Sequence, residues 1–165
     1  MNKPLKYQGY SIVFQEVPDE VSLAINISGC PYKCRGCHSK YLWDYKGNDL
    51  VKDFDDLLSK YDGLITCACF MGGDQNSQDL IKCLEKAKQY TLKTCLYTGA
   101  DAIGDVDSQI VECLDYIKVG KYIEDLGGLD SPTTNQRMYD LSNGTEIFFN
   151  GRKDSNSEQD KDCFK

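Results

Sequence analysis

Between Val21 and Val119 the hydrophobic pattern switches repeatedly between two periods, and that alternation decides the fold class. VSLAINIS (21–28) is a β-branched, apolar run of strand length. Residues 49–61 then place Leu50, Phe54, Leu57 and Leu58 at helical spacing among acidic residues. Residues 64–70 form a second apolar run, and 77–90 a second helix, capped by Asn76 or Ser77, with Leu80, Ile81, Leu84 and Ala87 on one face. Residues 92–97 read as strand, 106–114 as a shorter helix and 116–119 as strand. Strand, helix and strand in this order predict an α/β protein with a mostly parallel sheet and right-handed crossovers. YSIVFQEV (10–17) adds a strand in front, set off by Pro18 and Asp19, and Thr145 to Phe149 add one at the end. A chain of 165 residues suits a single domain, taken as 1–150, followed by a polar, flexible tail over 151–165.

Open parallel sheets bind ligands at the carboxyl ends of their strands. Three motifs stand at such ends: the loop that begins at Gly29-Cys30, the turn Met71-Gly72-Gly73-Asp74, and Tyr97-Thr98-Gly99. Folding gathers them on one rim although they are far apart in the chain.

The chain has nine cysteines, an odd number that cannot all pair internally. Cys67, Cys69, Cys83, Cys95 and Cys113 fall in predicted strands and helices among apolar neighbours, where a free thiol behaves as a small hydrophobe; Cys163 lies in the tail. Cys30, Cys34 and Cys37 instead form a C-x3-C-x2-C loop, CPYKCRGCHSKYLWD. Three soft thiolates this close select zinc, copper(I) or an iron–sulfur cluster. On a 4Fe-4S cluster, three cysteines leave one iron without a protein ligand, able to bind a substrate. A zinc site wants a fourth ligand, and the only histidine, His38, directly follows Cys37; adjacent residues rarely reach one metal.

The formal charge of −7 and pI near 4.7 argue against affinity built on phosphate neutralisation, so no nucleic-acid partner is expected. No stretch nears the roughly 20 apolar residues of a membrane span, and Met1 to Tyr10 is polar; a cytoplasmic protein without membrane contact is expected.

The cysteine spacing at the end of an early strand resembles the signature of the radical S-adenosylmethionine superfamily. SGCPYKCRGCHSKYLWD is similar to the cluster loop of the glycyl-radical-enzyme activases that serve anaerobic ribonucleoside-triphosphate reductase, and FMGGD, CLYTG and DYIKVGKYIEDLGGLDSPTTNQR (115–137) resemble further stretches of that group. The likeness spans roughly 21–140. It implies a 4Fe-4S cluster on Cys30, Cys34 and Cys37 and S-adenosylmethionine as second cofactor. Asp74 would take the methionyl ammonium, with Gly72 and Gly73 permitting close approach, although a plain turn is the alternative. Gly36, Cys37 and His38 would lie against adenosine, or His38 would face solvent. Tyr97 and Thr98 could touch ribose, though Tyr97 could equally be core. Lys118 could approach the cofactor carboxylate or be solvated. Trp43 is expected to pack the loop down, and Asn135, Gln136 and Arg137 to contact a partner or anchor a loop. Two features depart from the wider superfamily. Gly36 stands where many members carry an aromatic residue, and VPDEVSL replaces a glycine-rich segment before Cys30.

Since about 250 residues close an eight-fold β/α barrel, the fold implied is a single-domain partial (β/α) barrel. The chemistry implied begins with one electron from a reductant such as flavodoxin. It yields a 5′-deoxyadenosyl radical that takes hydrogen from a glycine of the reductase large subunit. The alternatives are activation of another glycyl-radical enzyme, a small-molecule radical enzyme, or a non-enzymatic iron–sulfur or zinc protein.

Overall fold

The computed structural model describes residues 3–149, so the 151–165 tail and Cys163 lie outside the described residues. The chain runs β1 (Lys6–Val13), β2 (Ser22–Ile27), β3 (Asn48–Asp49), α1 (Leu50–Lys60), β4 (Cys67–Met71), α2 (Ser77–Gln89), β5 (Lys93–Tyr97), α3 (Ser108–Glu112), β6 (Tyr116–Val119), β7 (Arg137–Asp140) and β8 (Thr145–Ile147). Asp49 and Asn76 cap α1 and α2 by accepting from the amides of Lys52 and Asp79, as their short polar side chains before apolar-periodic segments predict.

The eight strands form one sheet in the order β3-β1-β2-β4-β5-β6-β7-β8. Its centre is parallel: Asn26 stands beside Met71, Met71 beside Tyr97 and Tyr97 beside Lys118, so four strands end on one line. Both flanks are antiparallel, β3 and β1 on one side, β7 and β8 on the other. The expectation of a mostly parallel sheet is thereby corrected, because antiparallel pairings outnumber parallel ones four to three. The helical crossovers that enforce parallel pairing occur only between β2 and β6; before and after them the chain returns without a helix of crossover length. Strands β3 and β8 are the two edges, and the sheet is open.

Each central strand is buried on both faces, which is why these strands read as continuous apolar runs. On β4, Ala68 and Phe70 face the core formed with α1 and α2, where Phe70 meets Phe54 at 5.5 Å between ring centres. Cys67 and Cys69 alternate onto the opposite face with Cys95, Tyr116 and Met138. Val17, from the β1–β2 connection, seals that face, and the Tyr97 hydroxyl donates to the Glu16 carbonyl of the same connection. Cys67, Cys69, Cys83 and Cys95 are buried thiols, as expected; Cys113 is half-buried. No helix among the described residues is long and apolar enough to cross a membrane.

Candidate functional site

The cysteine loop leaves β2 at Ser28, a buried residue that closes the loop on itself. Its hydroxyl donates to the Lys46 carbonyl at 2.6 Å and accepts from the Lys46 amide at 3.2 Å, while its own amide donates to the Lys6 carbonyl on β1. Inside the loop the Cys30 amide donates to the Leu42 carbonyl at 3.0 Å, and the Cys37 amide to the Cys34 carbonyl at 3.2 Å. The Ser39 amide approaches the Cys37 sulfur at 3.4 Å. Amides directed at a cysteine sulfur suit a thiolate, which accepts where a thiol would compete to donate.

The Gly-Gly-Asp turn is tied to both neighbouring strand ends. The Gly72 amide donates to the Tyr97 carbonyl at 2.9 Å. Asp74 Oδ2 accepts from Thr98 Oγ1 at 2.8 Å, and Thr98 Oγ1 in turn accepts from the Ala100 amide at 3.0 Å. The Thr98 and Gly120 carbonyls take the Lys118 ammonium at 3.1 and 2.7 Å. One chain of polar contacts thus joins the ends of β4, β5 and β6. Gln75 completes the link to the cysteine loop: its side-chain carbonyl accepts from the Gly73 amide at 3.2 Å, and its amide donates to the Ser28 carbonyl at 3.2 Å.

Above this line of strand ends lies a cavity of about 220 Å³, lined by Cys30, Cys34 and Cys37, by Gly72 and Asp74, and by Tyr97, Thr98 and Lys118. The rim expected from the strand-end rule is therefore one continuous surface. Three candidates stand apart from it. The backbone of Gly73 (φ +112) turns its open side to Leu5, Leu80 and Ile27 in the core. Gly36 faces Glu124, which also pairs with Arg35 at 3.0 Å. The exposed His38 ring packs against Tyr122, 5.9 Å between centres, and it is Tyr122 that lines the cavity.

Sequence reading passed over Gln75, Tyr122 and Ile27, and it assigned Trp43 and Gln136 other tasks; all five line the cavity. Gln75 carries a signal in hindsight, as a polar residue directly after a strand-end turn. Of the 135–137 stretch, Asn135 donates to the Lys121 carbonyl, Gln136 to the Gly120 carbonyl and Arg137 to the Thr134 carbonyl, so these residues anchor the loop that follows β6.

Lys118 is only 8% exposed, which removes the solvated alternative. Burial pulls its pKa down to about 8, opposed by the neighbouring cysteines and Asp74. Tyr97 serves both readings: it is half-buried against the Cys69 face yet borders the cavity, and desolvation pushes its phenol up, well above the ordinary range. Trp43 is half-buried and belongs to neither apolar cluster; the Lys40 ammonium lies 5.8 Å from its ring, and its buried indole N–H has no acceptor among the described residues. Such an orphaned donor costs about 1–3 kcal/mol.

The donor set suits an iron–sulfur cluster. Cys30, Cys34 and Cys37 are free, half-buried thiols on one cavity wall. Among the described residues no three His, Cys, Asp or Glu converge on a point as one metal ion requires. A 4Fe-4S cluster asks for a different arrangement, since each thiolate binds its own iron. His38, turned toward Tyr122, is not positioned with the cysteines as the fourth ligand of a zinc knot.

Comparison with known proteins agrees with this donor chemistry. Two curated proteins that match are the anaerobic ribonucleoside-triphosphate reductase-activating proteins of Escherichia coli strains K12 and O157:H7. Each is 24% identical over 117 residues, covering 61% of this chain and 73% of the relative. No solved structure matches. A family model described as a 4Fe-4S single cluster domain matches residues 20–139, from the approach to β2 through β7, which takes in the whole cavity; the chain belongs to that family.

Proposed function

We propose that this chain is a radical S-adenosylmethionine activase that generates a glycyl radical on the large subunit of an anaerobic ribonucleoside-triphosphate reductase. The observation that carries the reading is the cavity itself, where three cysteines, an acidic residue and a buried lysine meet at the ends of four parallel strands. The target follows from the name of the matched relatives. When bound, the cluster and S-adenosylmethionine supply a one-electron cleavage of the sulfonium, fed by a reductant such as flavodoxin, and a carbon radical able to take hydrogen from glycine.

The residues of the chain bind and orient. Cys30, Cys34 and Cys37 hold three irons as thiolates and leave the fourth open. Asp74 keeps acceptor capacity beyond its bond from Thr98 and receives the methionyl ammonium through a charge-assisted bond. Lys118, fixed by two carbonyls, presents positive charge toward the carboxylate. Tyr97 and Thr98 border the ribose side, and Cys37 with Tyr122 the adenosine side, while Gly36 and His38, set back from the cavity, support that stretch through Glu124 and Tyr122. Gly72 lets the turn approach from the cavity side, and Gly73, open to the core, permits the bend behind it. Curvature of the open sheet into a partial barrel, with a side through which a protein loop enters, belongs to the same reading, as does a cytoplasmic setting.

The test is anaerobic reconstitution with iron and sulfide, reduction, and addition of S-adenosylmethionine. Formation of 5′-deoxyadenosine is expected, and its absence overturns the reading. With the reductase added, a glycyl doublet in the electron paramagnetic resonance spectrum is expected; 5′-deoxyadenosine without that doublet moves the target to another protein or a small molecule.

A further inference from the structure

Beside the cavity lies a second hollow, a groove of about 350 Å³ lined by residues 32–35 of the cysteine loop and 121–125 of the segment after β6. Cys34 borders both, and of the three cysteines it alone does so. Asp74, Thr98 and Lys118 border the cavity and not the groove. The groove thus reaches a cluster ligand from outside without touching the groups assigned to the methionyl and ribose ends of S-adenosylmethionine.

Its lining is cationic on an anionic molecule. Lys33, Arg35 and Lys121 are exposed there, and of the two acids opposite them Glu124 is taken by Arg35 at 3.0 Å. The pattern extends along the loop: residues 30–46 carry Lys33, Arg35, Lys40 and Lys46 against Asp44 alone, whereas the whole chain has 26 acidic and 19 basic side chains. Two exposed aromatic rings, Tyr32 and Tyr41, belong to the same loop. Tyrosine and arginine are enriched where proteins meet, and a positive patch draws a negative partner.

We propose that this groove is the docking site of the electron donor, a one-electron carrier protein whose cofactor opens onto an acidic face. The inference rests on the cluster assignment and the function proposed above. The step is electron transfer alone: the donor's reduced cofactor is oxidised by one electron, the cluster held through Cys34 is reduced by it, and no bond or proton changes place. Such transfer slows steeply with distance, so the donor belongs where a cluster ligand borders an outer groove. The reductase has a different need. Its glycine has to reach the carbon radical, on the side where Asp74 and Lys118 hold S-adenosylmethionine.

The experiment follows cluster reduction in the reconstituted full-length protein by stopped flow, with a reduced flavodoxin of net negative charge as the probe and salt as the variable. Lys33→Glu with Lys121→Glu reverses charge in the groove; Lys52→Glu with Lys88→Glu makes the same change in net charge on exposed positions of α1 and α2. Iron content and the extent of reduction by dithionite, measured first, should match the wild type in both. Expected is a wild-type rate at least about tenfold higher at low salt than at about 0.5 M, a low-salt rate about tenfold lower in the groove variant with little salt dependence left, and a change below about twofold in the helix variant. A wild-type rate independent of salt overturns the proposal. Equal slowing in both variants also overturns it, by placing the effect on net charge. So does a groove variant that keeps its rate with flavodoxin but loses affinity for the reductase, since the face then belongs to the reductase. If the groove variant loads no cluster, carbodiimide cross-linking of the wild type to flavodoxin decides: links at Lys33 or Lys121 are expected, and links only elsewhere overturn the proposal. A wild type that holds no cluster is a different result, which overturns the assignment underneath and the proposal with it.

Discussion

Asp74 Oδ2 and Thr98 Oγ1 are 2.8 Å apart, and through this contact the acidic turn after β4 is locked to the end of β5. Thr98 uses every part of itself: the hydroxyl donates to Asp74 and accepts from Ala100, the carbonyl receives Lys118, and the amide donates to the Lys118 carbonyl at 2.9 Å. The pairing orients the carboxylate before any ligand arrives. Thr98→Val keeps the shape but strands the Asp74 oxygen and the Ala100 amide, and we expect a loss of about 1–3 kcal/mol in denaturant unfolding of the apoprotein. Thr98→Ser, which restores the hydroxyl, should recover most of that loss. Equal loss in both variants would show that the methyl group and not the hydrogen bond matters.

The cysteines divide by environment. Cys83 is 2% exposed, and burial pushes its thiol up to about 12, so at pH 8 it has almost no thiolate to react. Iodoacetamide under native conditions should therefore label Cys30, Cys34 and Cys37 in the apoprotein and leave Cys83, Cys67 and Cys95 intact, as read by peptide mass spectrometry. Cys34→Ala should abolish the reconstituted cluster, whereas Cys83→Ala should leave its iron content unchanged. Loss of the cluster in the Cys83 variant would mean that the cysteines had been sorted wrongly.

How far the sequence reveals this molecule depends on how local the cause is. The central strands and helices were readable because each follows from its own periodicity: the first helix, expected at 49–61, occupies 50–60, and the second, expected at 77–90, occupies 77–89. Strands β3 and β7 were missed. Asn48 and Asp49 are too short and polar to show a period, and they pair only because Ser28 draws the loop end back to β1. Arg-Met-Tyr-Asp at 137–140 buries one residue, Met138, so its pattern is faint and its pairing is imposed by β6. At the site, strand-end logic foretold which motifs meet, because register carries them there. It could not tell that Gly73 turns to the core while Gly72 borders the cavity, nor that Gln75 would bridge two motifs, since both outcomes depend on contacts across the sheet.

Tyr7 gives a pH prediction. Desolvation first, then its 2.8 Å hydrogen bond to Asp53, raises the phenol to about 12. In the unfolded chain it ionises near 10. Between those values the folded state holds a proton that the unfolded state has released, so the stabilising contribution is complete below about pH 10 and is lost as pH climbs toward 12. Unfolding free energy should thus fall more steeply over that window in the wild type than in Tyr7→Phe. Parallel curves would mean that the Tyr7–Asp53 contact is not formed in solution.

Two glycine-to-alanine changes should separate fold from site. Gly47 has φ +107, and a Cβ there would sit 2.0 Å from the Tyr7 carbonyl oxygen, where the returning loop crosses β1. Backbone cannot step aside as a side chain does, so Gly47→Ala should cost about 3 kcal/mol or more in denaturant unfolding. A Cβ on Gly99 meets instead the Tyr32 ring at 2.7 Å. Tyr32 is 38% exposed, and a side-chain ring can shift where backbone cannot, so Gly99→Ala should lose less than about 1 kcal/mol of stability. Yet Tyr32 and Gly99 both line the cavity, and moving the ring removes part of its wall. We expect reconstituted Gly99→Ala to keep wild-type iron content while binding S-adenosylmethionine about tenfold more weakly by calorimetry, the loss of roughly 1.4 kcal/mol that one displaced aromatic contact represents. Unchanged affinity would place S-adenosylmethionine away from this wall, even with the cluster intact.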